Sequence, residues 1–158
     1  MTGRTIGAAT AGLLSVLVLY AKPATADAPC EGAYRSAVRG CFGGAYVRRD
    51  TIEWNTPWSV CKPTPYEIID SEMEGDQRRV VYMLKKPSKS CGYQIIEIEH
   101  MGDDYWSVNG YPTRESYEKR DDHAWIDAAE GRTSLSCPVY FDKPQIRCDI
   151  EVPKKTRR

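Results

Sequence analysis

From residue 45 onward, apolar and polar residues alternate with a period of two, in short runs separated by Gly, Pro, Asp and Asn. Such alternation is the signature of strands that bury one face and wet the other. The pattern predicts a strand pair over residues 45–54, turning at Arg48-Arg49-Asp50. Hairpins are expected over 66–73 and 79–84, around a Gly-containing loop, and over 93–101 and 105–111, around Gly102-Asp103-Asp104. Runs at 125–128, 134–141 and 145–152 complete the set. Residues 56–58 and 62–65 read as loops, because proline removes a ladder donor.

The period changes in two places. Over residues 31–39, Ala33, Tyr34, Ala37 and Val38 recur at three- and four-residue intervals, which predicts a short N-terminal helix. Residues 114–123 are strongly charged and read as a helical turn or an exposed loop. Short strands mostly joined by hairpins predict a mainly β chain, a single small antiparallel β-barrel or sandwich. In the 93–101 run, Gln94, Ile96, Ile98 and His100 share the better core face. Glu97 and Glu99 are left pointing outward or into a polar cavity.

The cysteines add a covalent frame to this picture. All six, Cys30, Cys41, Cys61, Cys91, Cys137 and Cys148, follow an N-terminal apolar segment. An even set in a small chain reads as a disulfide framework outside the reducing cytosol. The repeated C-x10-C spacing, with Asp142-Lys143 as the centre of a last hairpin, predicts the pairs 30–41, 61–91 and 137–148. No C-x2-C pair is present and there are two histidines, so no metal site is expected.

Residues 1–26 have the parts of a secretory signal: Arg4, an apolar stretch over 6–20, and overlapping A-x-A sites ending at Ala26 and Ala28. Fifteen helical residues span roughly 22 Å, short of a hydrocarbon core of about 30 Å. The expected organisation is a signal peptide at 1–26, a disulfide-stapled β domain at 27–152 and a basic flexible tail at 153–158. A secreted or periplasmic location follows, with no membrane span after cleavage.

Charge excludes one class of partner. The whole chain balances 22 Lys+Arg against 22 Asp+Glu, and removal of Arg4 and Lys22 with the signal leaves a slightly acidic remainder. Nucleic-acid binding needs a concentrated basic face, so it is not expected.

Ten Tyr and four Trp against two Phe favour half-buried aromatic positions and raise the prospect of a binding surface. Trp54, Trp58, Tyr66, Trp106 and Tyr111 are the candidate ligand contacts. The proline-rich stretch around Trp54 and Trp58 can serve either as a recognition loop or as a plug for a barrel end.

Candidate chemistry is sparse. His100 and His123 lie near Asp103, Asp104, Asp121 and Asp122, as a general base would require. No Gly-flanked nucleophilic serine of the G-x-S-x-G kind accompanies them. Glu97 and Glu99, with Glu67, Asp70 and Glu72 on a neighbouring strand, are the candidates for a glycosidase carboxylate pair. The reading that follows is an exported binding or inhibitor module for a small molecule or a protein partner, without a cofactor. The alternatives are a small secreted hydrolase using His100 or His123 with an acidic partner, or a structural envelope protein of no specific ligand.

Overall fold

The computed structural model describes residues 30–74, 77–103, 105–127 and 133–141. The expected signal segment, the strand at 145–152, Cys148 and the tail at 153–158 lie outside them. Eight strands form one closed antiparallel barrel: β1 (Gly32–Ser36), β2 (Gly43–Val47), β3 (Thr51–Asn55), β4 (Val60–Glu74), β5 (Gln77–Leu84), β6 (Ile95–Gly102), β7 (Tyr105–Tyr111) and β8 (Leu135–Phe141). Each strand pairs with its sequence neighbours, and Tyr34 opposite Phe141 closes β1 onto β8. Closure removes the exposed edges that a sandwich would have to protect.

Alternation decides the interior. Ile96 and Ile98 of β6 point inward with Tyr34, Ile52, Trp54, Val80, Tyr82, Val108 and Val139, all at most 1 % exposed. An eight-stranded barrel is just wide enough for such side chains to fill it. Gly110 of β7 leaves the space taken by two rings: a Cβ there would lie 2.5 Å from Trp54 and 2.8 Å from Tyr93. Those rings stack at 4.9 Å and fill the barrel beneath that end.

The 15-residue β4 contains two bulges. The first falls between Cys61 and Thr64 and accommodates Pro63, which explains why 62–65 is strand rather than the expected loop. The second, between Ile68 and Asp70, turns Asp70 and Glu72 onto the outer face beside Arg79.

The expected N-terminal helix is corrected to strand β1. Gly32, Tyr34 and Ser36 are buried at alternate positions and β1 is paired on both sides. An uncapped helix of about nine residues is marginal and loses to that non-local pairing. The strand expected at 125–128 is corrected over its described residues 125–127, which belong to helix α2 (His123–Asp127). The Asp122 carboxylate starts it by accepting the Ala124 and Trp125 N–H groups at 3.0 and 3.3 Å. Helix α1 (Arg114–Glu118) opens with a Thr113–Ser116 capping box.

Two disulfides lie among the described residues. Cys61–Cys91 is the expected pair, while Cys41 bonds Cys137, which overturns both 30–41 and 137–148. The hairpin argument fails because the neighbours of β8 are β7 and β1. Closure carries the turn after β1 over the start of β8, with the two Cα atoms 5.5 Å apart. Cys30 is buried. No helix among the described residues is long and apolar enough to cross a membrane.

Candidate functional site

In an up-and-down barrel, alternate connections emerge at the same end. The β1–β2, β3–β4, β5–β6 and β7–β8 connections therefore share one rim, and both disulfides join elements there. Hydrogen bonds lock the rim further. The Val60 N–H donates to the Ser90 carbonyl at 2.9 Å, and the Ser90 hydroxyl to the Val60 carbonyl at 2.8 Å. Gly92 N–H donates to the Ser59 hydroxyl at 2.9 Å. Within the β3–β4 turn the Thr56 hydroxyl accepts from the Trp58 and Ser59 N–H groups.

From this stiff frame several large apolar side chains project into solvent. Trp58 is 77 % exposed and Phe42 71 %, with Val38 and Val60 about half exposed. Gly43 holds Phe42 in place: its φ is +137° and its Cα packs against the Asn55 carbonyl, where no Cβ fits. Phe42 thus enters β2 where β3 passes into the Trp58 turn. Around these groups stand exposed Arg39, Lys62, Lys86 and Lys89, none with an ion-pair partner among the described residues. Lys85 approaches Glu67 at 4.0 Å. Residues 37–42, 56–59 and 85–94 contain no acidic residue.

The flank of the barrel carries the opposite chemistry. The β7–β8 connection leaves the rim and folds down over β5 and β6, where Tyr111 and Tyr117 cover Val81 and Ile95. Beneath it Arg79 binds Asp70 at 2.8 Å, Glu97 at 3.3 Å and the Tyr117 hydroxyl at 3.1 Å. Glu97, 3 % exposed, also accepts from Tyr111 at 2.8 Å and Asn109 at 3.1 Å. Burial raises the Asp70 carboxyl, but hydrogen bonds and charge from Arg79, with help from Tyr117, hold it below its ordinary range. Glu99 is pushed up, first by burial and then by the Glu97 charge. Burial and the same charge push the Tyr111 hydroxyl well above its usual value.

Of the glycosidase candidates, Asp70, Glu72, Glu97 and Glu99 do gather around Arg79, while Glu67 faces Lys85. A cleft of about 370 Å³ opens beside Glu72, Glu97, Glu99 and Arg120. Both Glu97 oxygens are engaged in fastening the α1 segment, through Arg79, Asn109 and Tyr111. His100 lines an adjoining cleft of about 380 Å³ with Glu72, Arg79 and Glu99, its Nε2 2.6 Å from the Asp103 carbonyl oxygen and its ring against Trp106. His123 is exposed at the start of α2. Among the described residues no group of three or more His, Cys, Asp or Glu is placed to hold a metal ion.

The chain matches no family model, no curated protein and no solved structure. Geometry alone therefore carries the functional argument. The five candidate contact residues are not brought together. Trp54 is in the core against Tyr93, and Trp106 packs on Tyr34, His100 and Phe141. Tyr66 faces inward, its hydroxyl donating to the carbonyls of Arg48 and Arg49 and pushed up to about 12 by burial and by the Glu31 and Asp50 charges. Tyr111 fastens Glu97, and Trp58 alone stands free on the rim. Phe42, Val38 and Val60 escaped the sequence reading. The available signal was Phe42 itself, a large apolar residue between Cys41 and a Gly-Gly pair, outside any alternating run.

Proposed function

We propose that the chain is an exported binding module that meets its partner through the disulfide-braced rim. The supporting observation is the exposure of Trp58 and Phe42 on a frame held by Cys41–Cys137 and Cys61–Cys91. A rigid loop loses little conformational freedom on binding, and aromatic side chains contribute most of the contact energy at such surfaces. Export and a framework of three bridges belong to the same proposal. A secreted product whose mass begins at Asp27 or Pro29 and is lower by six hydrogens supports both. An intact Met1 or free thiols overturns them.

The binding reading is tested by placing a photo-crosslinking amino acid at position 58 or at position 67 in producing cells. Adducts from 58 and none from 67 are expected. A bare position 58 overturns the reading.

A further inference from the structure

The rim combines two properties found together on surfaces that rest on anionic lipid. Large apolar side chains project outward, Trp58 and Phe42 foremost, with Val38 and Val60 beside them. Exposed cations, Arg39, Lys62, Lys86 and Lys89, surround them with no acidic residue in the neighbouring connections 37–42, 56–59 and 85–94. Aromatic and aliphatic groups enter the headgroup boundary, while Lys and Arg remain among the phosphates.

The rest of the molecule gives this arrangement a direction. Asp50, Glu74 and Asp103 lie at the opposite end, with exposed Arg48 and Arg49 beside Asp50, and Asp70, Glu72, Glu97 and Glu99 gather around Arg79 on the flank. Of the acidic residues that follow β7, Glu115 and Glu118 pair with Lys119 and Arg114 at 2.8 Å, and Asp121 lines the cleft beside Arg79. A negative surface therefore attracts the rim, where connections 37–42, 56–59 and 85–94 together carry cations without acids, more strongly than the mixed-sign opposite end and flank. The field selects the orientation in which Trp58 and Phe42 arrive first.

We infer that the rim docks on an anionic phospholipid surface, with Trp58 and Phe42 inserted at the headgroup boundary and Arg39, Lys62, Lys86 and Lys89 against the phosphates. This rests on the proposal that the rim is the binding surface, and it names the partner. The match of charge sign favours lipid. The cations flank an exposed apolar cluster, a composition suited to insertion, whereas the clefts on the flank are lined by carboxylates and arginines together.

The test uses the oxidised, secreted chain and phosphatidylcholine vesicles with and without about 30 % phosphatidylglycerol. The wild type is expected to co-float with the anionic vesicles at about 0.05 M salt and to be released at about 0.5 M. Trp58→Ala and Phe42→Ala should each weaken binding about tenfold. Lys86→Gln with Lys89→Gln should weaken it roughly twenty-five-fold, about fivefold per charge. The vesicle-induced blue shift of tryptophan emission should be lost in Trp58→Phe, because Trp54 and Trp106 are already buried and half-buried Trp125 lies away from the rim tip, covered by Lys119.

Equal binding to neutral and anionic vesicles overturns the inference. So does binding that ignores the rim substitutions and vanishes when Lys154, Lys155, Arg157 and Arg158 are neutralised. Absent vesicle binding with a protein adduct at position 58 overturns the lipid assignment and leaves the binding module standing. Absent vesicle binding with no adduct at 58 overturns both.

Discussion

The rim and the flank are both built from outward-facing residues of one barrel, yet they are held in opposite ways. At the rim covalent bonds supply the rigidity, and apolar groups are left in water: Cys41–Cys137 and Cys61–Cys91 stand beside exposed Phe42 and Trp58. On the flank no disulfide is present among the described residues, and a charged network is drawn out of water beneath α1, with Glu97 only 3 % exposed. The difference separates stability from recognition. A network like that around Arg79 is satisfied internally and offers few open valences. The rim satisfies its backbone internally and leaves its side chains unspent.

Breaking the covalent half of this comparison should have the largest effect. Cys41–Cys137 closes a loop of 96 residues, for which chain entropy assigns about 4.7 kcal/mol. Replacing both cysteines by serine should lower the unfolding free energy by about 4 kcal/mol in a urea titration. Loss of less than about 1 kcal/mol would show that closure of β1 on β8 holds the rim without the bond.

The electrostatic half is broken next. Arg79→Met leaves Glu97 buried beside Tyr111 and Asn109 with its cation gone, and removal of one partner from a buried pair costs about 3 kcal/mol. Glu97→Gln should cost less, since the amide keeps the shape and can still accept a hydrogen bond. Equal losses for the two variants would mean that packing of α1, and not the charge on Glu97, holds the flank. The same urea titration, with hydrogen exchange on the α1 amides, distinguishes the outcomes.

A third change tests the packing below the rim. Gly110→Ala places a methyl group 2.5 Å from Trp54, so the Trp54–Tyr93 stack must shift. Overpacking of this kind costs about 1–3 kcal/mol. Near-ultraviolet circular dichroism should report the displaced rings, and an unchanged spectrum would show the stack to be loose.

These contrasts also explain which parts were legible in the sequence. The β4–β5 and β6–β7 hairpins were readable because alternation is a local signal. Ile96 and Ile98 went inward and Glu97 and Glu99 outward for that reason. Residues 31–39 misled because Ala33, Tyr34, Ala37 and Val38 fit a helical spacing, whereas partners on β2 and β8 decide the outcome. The pairing of Cys41 with Cys137 depends on closure of the first strand onto the last, which no local pattern encodes. Asp70 and Glu72 were matched with Glu97 and Glu99, but Arg79, the cation that joins them, was not recognised as their partner. Trp54 and Trp58, four residues apart, looked alike until the Thr56 turn placed one inside and one in solvent.

Acid titration sharpens the flank further, with a smaller effect of two opposite signs. Asp70 sits below its ordinary value of 3.8, so its stabilising contribution is present above that value and is lost as pH falls below it. Glu99 sits above its ordinary value of 4.5, so its ionised form costs stability at neutral pH; the cost fades as pH falls through that raised value and is gone below about 4.5. Asp70→Asn should therefore lower Tm at pH 7, and Glu99→Gln should raise it. The Glu99→Gln difference should be gone below about pH 4.5, whereas the Asp70→Asn difference should persist to 3.8 and shrink as pH falls further. A Glu99→Gln variant with a lower Tm at pH 7 would contradict this assignment.

The smallest effect is expected at the most exposed ring. Trp58 is 77 % exposed, and its turn is held by the Thr56 hydroxyl and the Ser59 backbone, without help from the indole. Trp58→Ala should therefore change unfolding free energy by no more than about 0.5 kcal/mol, as for surface positions in general. Trp54→Ala, on the same strand-and-turn segment, should cost about 3–5 kcal/mol because its 1 % exposed ring fills the barrel against Tyr93. The pair isolates recognition from folding: a chain that keeps its stability on loss of Trp58 holds that indole in water for something other than its own fold. A Trp58→Ala cost approaching that of Trp54→Ala would return the ring to the core and remove the reason to regard the rim as a contact surface.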